Sequence, residues 1–384
     1  MTEPMLRPPP LDGVRVIDLT QIYAGPYTTF LMARAGAEII KIEPPGGEHM
    51  RRAAGGSVLP YVMLNANKRS LTLDLKTAAG IAEVRRLVED ADVLVENFTP
   101  GVMDRLGLGW EDLRARNPRL IYACSSGYGT TGPYRDYPAM DLTVQAMSGI
   151  LGVTGFPGQP PVKAGPAMCD FSAGIHLYAG VITALYERTR SGLGQMVEIS
   201  MLESAYFTLT SNLGPLFREE GAADLGRTGN RHGGMTICPY NVYPTNDGFV
   251  AILCINDAHF FALTKALHLP DLAAVPRYAT HKGRAPDMDA LDARIGAATA
   301  AFSKATLFDL LMAHHVPAAP VRTLGEVIAD PHLHARGALR WIDHPQHGRL
   351  VVAESPLRLN GCERPAYEPS AAIGADNASL LRPA

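Results

Sequence analysis

The segment GVRVIDLTQIYAGPYTTFLMARAGAEIIKIE, residues 13–43, holds two short apolar runs on either side of a helix-compatible stretch. GVRVIDLT (13–20) is bounded by glycine and polar residues and reads as a buried strand. The following residues, 24–43, supply a helix, a stop at Gly36 and a second strand ending at Glu43. A strand, a helix and a strand at this spacing begin a parallel α/β sheet.

The alternation continues outward. RSLTLDL (69–75), ADVLVEN (91–97) and RLIYACSSGYG (119–129) read as strands, with a helix over 77–90 and a helical turn at GVMDRLG (101–107). GQMVEISMLESAYFTLTSNL (194–213) reads as a strand running into a helix, and the regular pattern ends near residue 215. Residues 227–257 form a turn-rich loop and a hairpin whose turn is Asn246–Asp247–Gly248. Helices occupy much of 258–315, GRLVVAESPLRLNG (348–361) is strand material, and a Pro- and Ala-rich tail follows. There is no repeat of solenoid length.

Composition narrows the function classes. A length of 384 residues suits a large domain plus a smaller one. With 47% hydrophobic residues, 19% charged residues and a net charge of −3, the chain fits a soluble globular protein and shows no basic excess for nucleic acid. The five cysteines lack paired spacing, which points away from disulfides and zinc and towards a cytoplasmic setting. The N-terminus MTEPMLRPPPLDG lacks a signal-peptide pattern, and no membrane partner is expected.

One carboxylate stands out. In AGPAMCDFSAGIHLYAGVITALYE (164–187), Asp170 precedes a stretch, 171–186, with no formal charge beyond what His176 carries. The stretch reads as a buried core helix with Asp170 as its cap, and Gly174 and Gly180 allow another backbone to approach it. Glu43 ends the second strand where a ribose-binding acid often sits, so an NAD-dependent dehydrogenase is an alternative. The loop TQIYAGPYTT, however, has a single glycine and no pyrophosphate-binding fingerprint. The pairs His314–His315, His332–His334 and His344–His347 have no supporting acid or cysteine, so no metal site is expected. Cys169 reads as an inert buried thiol, and the glycine pair in RTGNRHGGMT as a turn or a mobile flap.

Several ordered segments resemble the family III CoA-transferases, the formyl-CoA transferase and carnitine CoA-transferase group. They are residues 11–29, GAEIIKIEPPGG (36–47), NANKRSLTLDLK (65–76), VENFTPGVMDRLGLGW (95–110), NPRLIYACSSGYGTTGPY (117–134), DLTVQAMSGI (141–150), the Asp170 segment and GQMVEISMLESA (194–205). DPHLHARG (330–337) and SPLRLNG (355–361) match late in the chain. The resemblance implies a Rossmann-like large domain with a smaller α+β domain, in an interlocked homodimer. The implied division is 1–215 for the first part of a CoA-binding domain, 216–325 for a small domain with the glycine loop, and 326–384 for a return to the large domain.

It also implies a reaction. Asp170 is the expected nucleophile, taking CoA from an acyl-CoA donor as an aspartyl thioester and passing it to a carboxylic acid. The helix N-terminus is expected to keep Asp170 ionised and to lend N–H groups to a tetrahedral intermediate. The CoA contacts carried over are Tyr23, Ala24, Arg51, Leu73 to Lys76, Asn97, Phe98, Thr99 and Arg105, with Tyr23 replacing a glutamine and Pro44 an arginine of the formyl-CoA enzyme. His232, Gly233 and Gly234 correspond to its longer glycine loop, and His232 is positioned in that motif to meet an acceptor carboxylate. No permanently bound cofactor is implied, since CoA enters as part of the substrate. Succinyl-CoA with a small dicarboxylic acid follows from family habit, and the short glycine pair points away from oxalate and formyl-CoA. A racemase of the same fold is the other alternative, but its histidine before the Asp of DLTVQAMSGI is Met140 here, and a thioether takes no proton.

Overall fold

The structure is a computed structural model that describes residues 6–51, 58–219 and 221–381. Six strands form one parallel sheet: β1 (Arg15–Asp18), β2 (Glu38–Glu43), β3 (Lys68–Thr72), β4 (Val93–Glu96), β5 (Ile121–Ser126) and β6 (Met196–Ser200). Their order is β3-β2-β1-β4-β5-β6, so the direction of winding reverses between β1 and β4. Alternate residues enter two cores. Ile17, Ile40, Leu71 and Leu94 pack with Val84 and Val88 of the helix Ala78–Glu89 on one face. Val16, Ile39, Val93 and Ala123 pack with Met32, Leu177 and Val181 on the other. A sheet covered on both faces needs unbroken apolar runs, as the sequence provides.

The helices Ala24–Arg34 and Met168–Ser191 lie against each other on this second face. At their crossing a Cβ on Gly174 would stand 2.6 Å from the Ala24 carbonyl oxygen, so only glycine admits the contact. Thr28 Oγ1 donates to the Gly174 carbonyl at 2.9 Å across the same junction. The close approach read from Gly174 is therefore present. The expected full burial is not, because Ile175 and Tyr186 are 50% and 66% exposed on the outer face. The stretch is long and apolar enough to span a membrane, yet here one side covers the sheet.

The chain divides into two compact units, 1–148 with 166–206 and 330–384, and 149–165 with 207–329. In the first, the C-terminal segment returns to the sheet edge: Ser70 N donates to Asp376 Oδ2 at 2.8 Å and Thr72 N to Asn377 Oδ1 at 2.9 Å. This covers β3, which would otherwise present unpaired backbone. Arg34 and Glu354, both buried, pair at 2.7 Å and tie the late segment to the first helix. The same unit carries the hairpin β10 (Leu339–His344) and β11 (Gly348–Ala353), whereas residues 355–361 of the expected strand material are irregular.

The second unit has the antiparallel sheet β7 (Tyr240–Thr245), β8 (Gly248–Leu253) and β9 (Ala318–Pro320). Thr245 pairs with Gly248, which puts Asn246–Asp247 at the tip of the expected hairpin. Phe260, Leu263, Leu291, Ile295, Leu307 and Leu311 from three helices cover it.

Candidate active site

Asp170 is the third residue of the helix Met168–Ser191, not its cap. Ala167 occupies the capping position and makes no side-chain bond there. The cap comes from another helix. Asp141, which opens the helix Asp141–Ser148, accepts hydrogen bonds at Oδ1 from the backbone N–H of Cys169 (2.8 Å) and of Asp170 (3.3 Å). Its Oδ2 accepts from Nε2 of the fully buried Gln145 at 2.5 Å. A borrowed carboxylate thus satisfies the amide groups that a capping Asp, Ser or Thr normally meets.

The arrangement corrects two expectations. Partial burial, and then the negative charge of Asp141, push Asp170 up to about 7, so the helix end does not hold it in the ordinary carboxylate range. The first-turn N–H groups are also already engaged, with Met168 N on the Pro166 carbonyl and the next two on Asp141. They do not serve a reacting oxygen. The Asp170 carboxyl itself has no hydrogen-bond partner among the described residues, which leaves its lone pairs open to the adjoining cleft.

That cleft, of about 670 Å³, lies beyond the carboxyl ends of β1, β4 and β5, at the reversal of strand order where open α/β sheets place ligands. Ile22 and Ala24 follow β1, Asn97 to Pro100 follow β4, and Ser125 to Tyr128 close β5; Met140 and Asp170 complete the floor. The wall after β1 is held residue by residue. Lys41 Nζ donates to the Thr20 carbonyl at 2.8 Å, and Asn97 accepts from Gln21 N and donates to Gln21 O, both at 2.8 Å. Glu48 Oε2 accepts from Ile22 N at 3.1 Å. These bonds hold Ile22 at φ 69°, a left-handed backbone that a β-branched residue rarely adopts.

A second cleft of about 720 Å³, mainly apolar, runs beside the first and is lined by Leu73, Lys76, Phe98, Val102 and Leu106 among others. Phe98 faces both clefts, so they share a wall. The exposed Arg105 ends the short helix Val102–Arg105, next to that lining. Of the carried-over residues, Ala24, Asn97, Phe98 and Thr99 meet at the Asp170 cleft, and Leu73, Lys76 and Phe98 at its neighbour.

Arg105 lines neither cleft although it follows Val102 of the second, and two further residues lie apart from both. Tyr23 faces a third, apolar cleft with Tyr27 and Phe171, its ring 5.8 Å from that of Phe171. Arg51 forms a two-pronged ion pair with the buried Glu43, at 3.0 and 2.7 Å, and its guanidinium lies over the Tyr61 ring. A guanidinium so engaged has little left for a phosphate. The same pair occupies the Glu43 carboxylate and removes the ribose-binding acid of the dehydrogenase alternative. His232, Gly233 and Gly234 lie in the second unit, where Gly234 N donates to His232 Nδ1 at 3.2 Å. A Cβ on Gly233 would stand 2.5 Å from the Asn212 side chain.

Asp141 and Gln145, which hold the start of the Asp170 helix, were not among the residues expected at the site. Asp141 was visible only as the residue after Met140; nothing in the spacing announces a cap donated from 29 residues upstream.

Comparison with known proteins agrees with this architecture. The sequence profile of CoA-transferase family III matches residues 11–377. The chain is 38% identical over 382 residues to the succinyl-CoA–D-citramalate CoA-transferase of Chloroflexus aurantiacus, covering 98% of this chain and 94% of that one. It is 38% identical over 378 residues to the acetyl-CoA:oxalate CoA-transferase of Acetobacter aceti, covering 97% and 95%. The crystal structure of a CaiB/BaiF family protein from Brucella suis superposes with a TM-score of 0.85 at 33% identity, over 98% of this chain and 99% of that one. The chain belongs to CoA-transferase family III, and it is a CoA-transferase.

Proposed function

We propose that the chain moves CoA from an acyl-CoA donor to a carboxylic acid through covalent intermediates on Asp170. The observation that carries this reading is an unbonded carboxyl on the floor of the cleft at the strand reversal. The ionised Asp170 attacks the thioester carbon, and the resulting tetrahedral oxyanion collapses to a mixed anhydride with release of CoA thiolate. The thiolate attacks the aspartyl carbonyl and expels the donor acid, leaving an aspartyl-CoA thioester. The acceptor carboxylate attacks that carbonyl, and the thiolate then takes the acceptor's acyl group and frees Asp170. Every step exchanges one activated acyl bond for another, so no nucleotide is hydrolysed.

The acyl-CoA nucleotide is assigned to the apolar cleft with Leu73 and Lys76, and its thiol end to the Asp170 cleft past Phe98. Lys76 and Arg105 are the cations suited to its phosphates. A dicarboxylic acceptor is favoured, because citramalate and oxalate in the relatives' names are both dicarboxylates, and a succinyl-CoA donor is favoured by the name of the Chloroflexus aurantiacus relative. Arg135, the one cation lining the Asp170 cleft among the described residues, suits a distal carboxylate. An interlocked homodimer is part of the same reading, supported by the exposed apolar side chains Ile175, Tyr186, Leu193 and Met196.

The test is intact-protein mass spectrometry after mixing with a panel of acyl-CoA thioesters and trapping with hydroxylamine or borohydride. The expected adduct maps to Asp170 and disappears in Asp170→Ala. Solvent deuterium entering a 2-methylacyl-CoA, with no adduct, contradicts the reading and points to proton transfer.

A further inference from the structure

Ser125 poses a question that the transfer chemistry above leaves open. Its hydroxyl is buried and without a hydrogen-bond partner, although the residue lines the Asp170 cleft. Its neighbour Ser126 is different: Ser126 Oγ accepts from Gly129 N at 3.0 Å. Buried hydroxyls without partners are uncommon, and leaving one unbonded costs stability unless a ligand or ordered water completes it.

Strand geometry says where the hydroxyl points. Side chains alternate along β5, and Ile121 and Ala123 belong to the core formed with Leu177 and Val181 of the helix Met168–Ser191. Ser125 continues that row one step further, towards the end of the helix that carries Asp170. The chain beyond it confirms the neighbourhood. A Cβ on Gly127 would collide with Ala139, two residues before the Asp141 that caps the Asp170 helix.

Chemistry says what is missing there. Attack on a thioester puts a full negative charge on the former carbonyl oxygen, and such sites supply a hydrogen-bond donor to it. The helix N–H groups of residues 168–170 are all occupied. Among the described residues, Ser125 carries the one buried, unpartnered side-chain donor lining this cleft.

We propose that Ser125 Oγ–H donates a hydrogen bond to the oxyanion formed when Asp170 attacks the acyl carbon of the CoA thioester. Its proton stays on the serine. The C=O electron pair moves onto oxygen under attack and returns when the C–S bond breaks and the thiolate departs. The hydroxyl is thus stabilised by the transition state and unbonded in the free protein. This rests on the covalent reading of Asp170.

The experiment compares the full-length wild type with Ser125→Ala and with Ser125→Cys, which is near-isosteric but a weak donor. With succinyl-CoA, the trapping rate at Asp170 and the steady-state kcat are expected to fall on the order of 100-fold in Ser125→Ala. The fall is intermediate in Ser125→Cys, and KM for the thioester changes little. Thermal stability is expected to be unchanged or higher, since an unbonded hydroxyl has been removed. A merely structural serine would lower stability and leave the trapping rate of the folded enzyme intact. Ser125→Ala trapping at the wild-type rate, while the wild type is labelled at Asp170, overturns the role of Ser125 alone. Absence of label at Asp170 in the wild type, across the whole acyl-CoA panel, overturns both readings.

Discussion

Asp141 caps the helix that carries Asp170: one of its oxygens accepts from the amides of Cys169 and Asp170, at 2.8 and 3.3 Å. The same carboxylate places a negative charge beside the nucleophile and adds to the burial that raises Asp170 to about 7. One residue therefore fixes the amides of the reacting turn and, after burial, also raises the basicity of the reacting group. A carboxylate with a raised pKa is a stronger nucleophile once ionised, and near pH 7 a useful fraction is ionised.

Asp141→Asn keeps an oxygen for the amides and removes the charge. The acid limb of the kcat/KM–pH profile should move to lower pH, with the helix still capped. Asp141→Ala loses both, and should add a stability loss of about 1 kcal/mol, typical of a lost cap. Parallel pH–rate and urea-unfolding series read the two effects. A limb that stays in place in Asp141→Asn contradicts the electrostatic part of the account.

Asp170→Asn should be inactive yet more stable than the wild type at alkaline pH. Below about pH 4 both folded and unfolded wild-type chains hold the proton, the ordinary carboxyl value being 3.8. As pH rises towards 7, the unfolded chain releases it while the folded chain keeps it, so wild-type stability falls. The gain from Asp170→Asn should grow from nothing at pH 4 to about 2–4 kcal/mol above pH 7. Denaturant titrations at pH 5 and pH 8 measure it; an equal gain at both contradicts the raised pKa.

Asn97→Ala breaks both bonds to the Gln21 backbone and frees the segment that keeps Ile22 in its left-handed conformation. A stability loss of about 1–3 kcal/mol is expected from the unmet groups. Since Gln21 lines one cleft and Ile22 the other, KM for acyl-CoA should rise with it. An unchanged KM in a folded variant would show that this wall does not bear on CoA.

Gly174→Ala forces a methyl group against the Ala24 carbonyl, which is backbone and cannot step aside alone. Overpacking of this kind costs about 1–3 kcal/mol. Because Ala24 lines the cleft and Asp170 lies one turn away, kcat should fall too. Thermal melts with steady-state kinetics test the pair of effects, and a silent substitution contradicts the tight crossing.

Much of the frame was legible because it depends on local pattern. A sheet buried on both faces demands runs such as VRVIDL and EIIKIE, and a two-residue hairpin demands a turn such as Asn246–Asp247 before Gly248. Gly174 announced a close approach without naming Ala24 as the partner. The site was legible at Asp170 and less so around it, because the decisive interactions join distant segments. Arg51 and Glu43 each matched a ligand-binding position, but in the fold they neutralise one another. Tyr23 is adjacent in sequence to Ala24, yet the two side chains line different clefts. A helix that reads as uniformly apolar proved two-sided, since composition does not say which face the rest of the chain covers.

The most direct measurement of the central claim follows oxygen. If the acceptor carboxylate attacks an aspartyl thioester, and its acyl group then leaves for CoA, one acceptor oxygen stays behind on Asp170. Turnover with an acceptor acid labelled with oxygen-18 in both carboxylate positions, followed by digestion and mass spectrometry, should place the label in the peptide containing Asp170. A single turnover is expected to add one oxygen-18 to the wild-type peptide, and repeated turnover to drive it towards two, because each cycle expels one Asp170 oxygen with the donor acid and takes one from the acceptor. Efficient CoA transfer that leaves this peptide unlabelled would contradict the account, because the acceptor would then have taken CoA without bonding to Asp170.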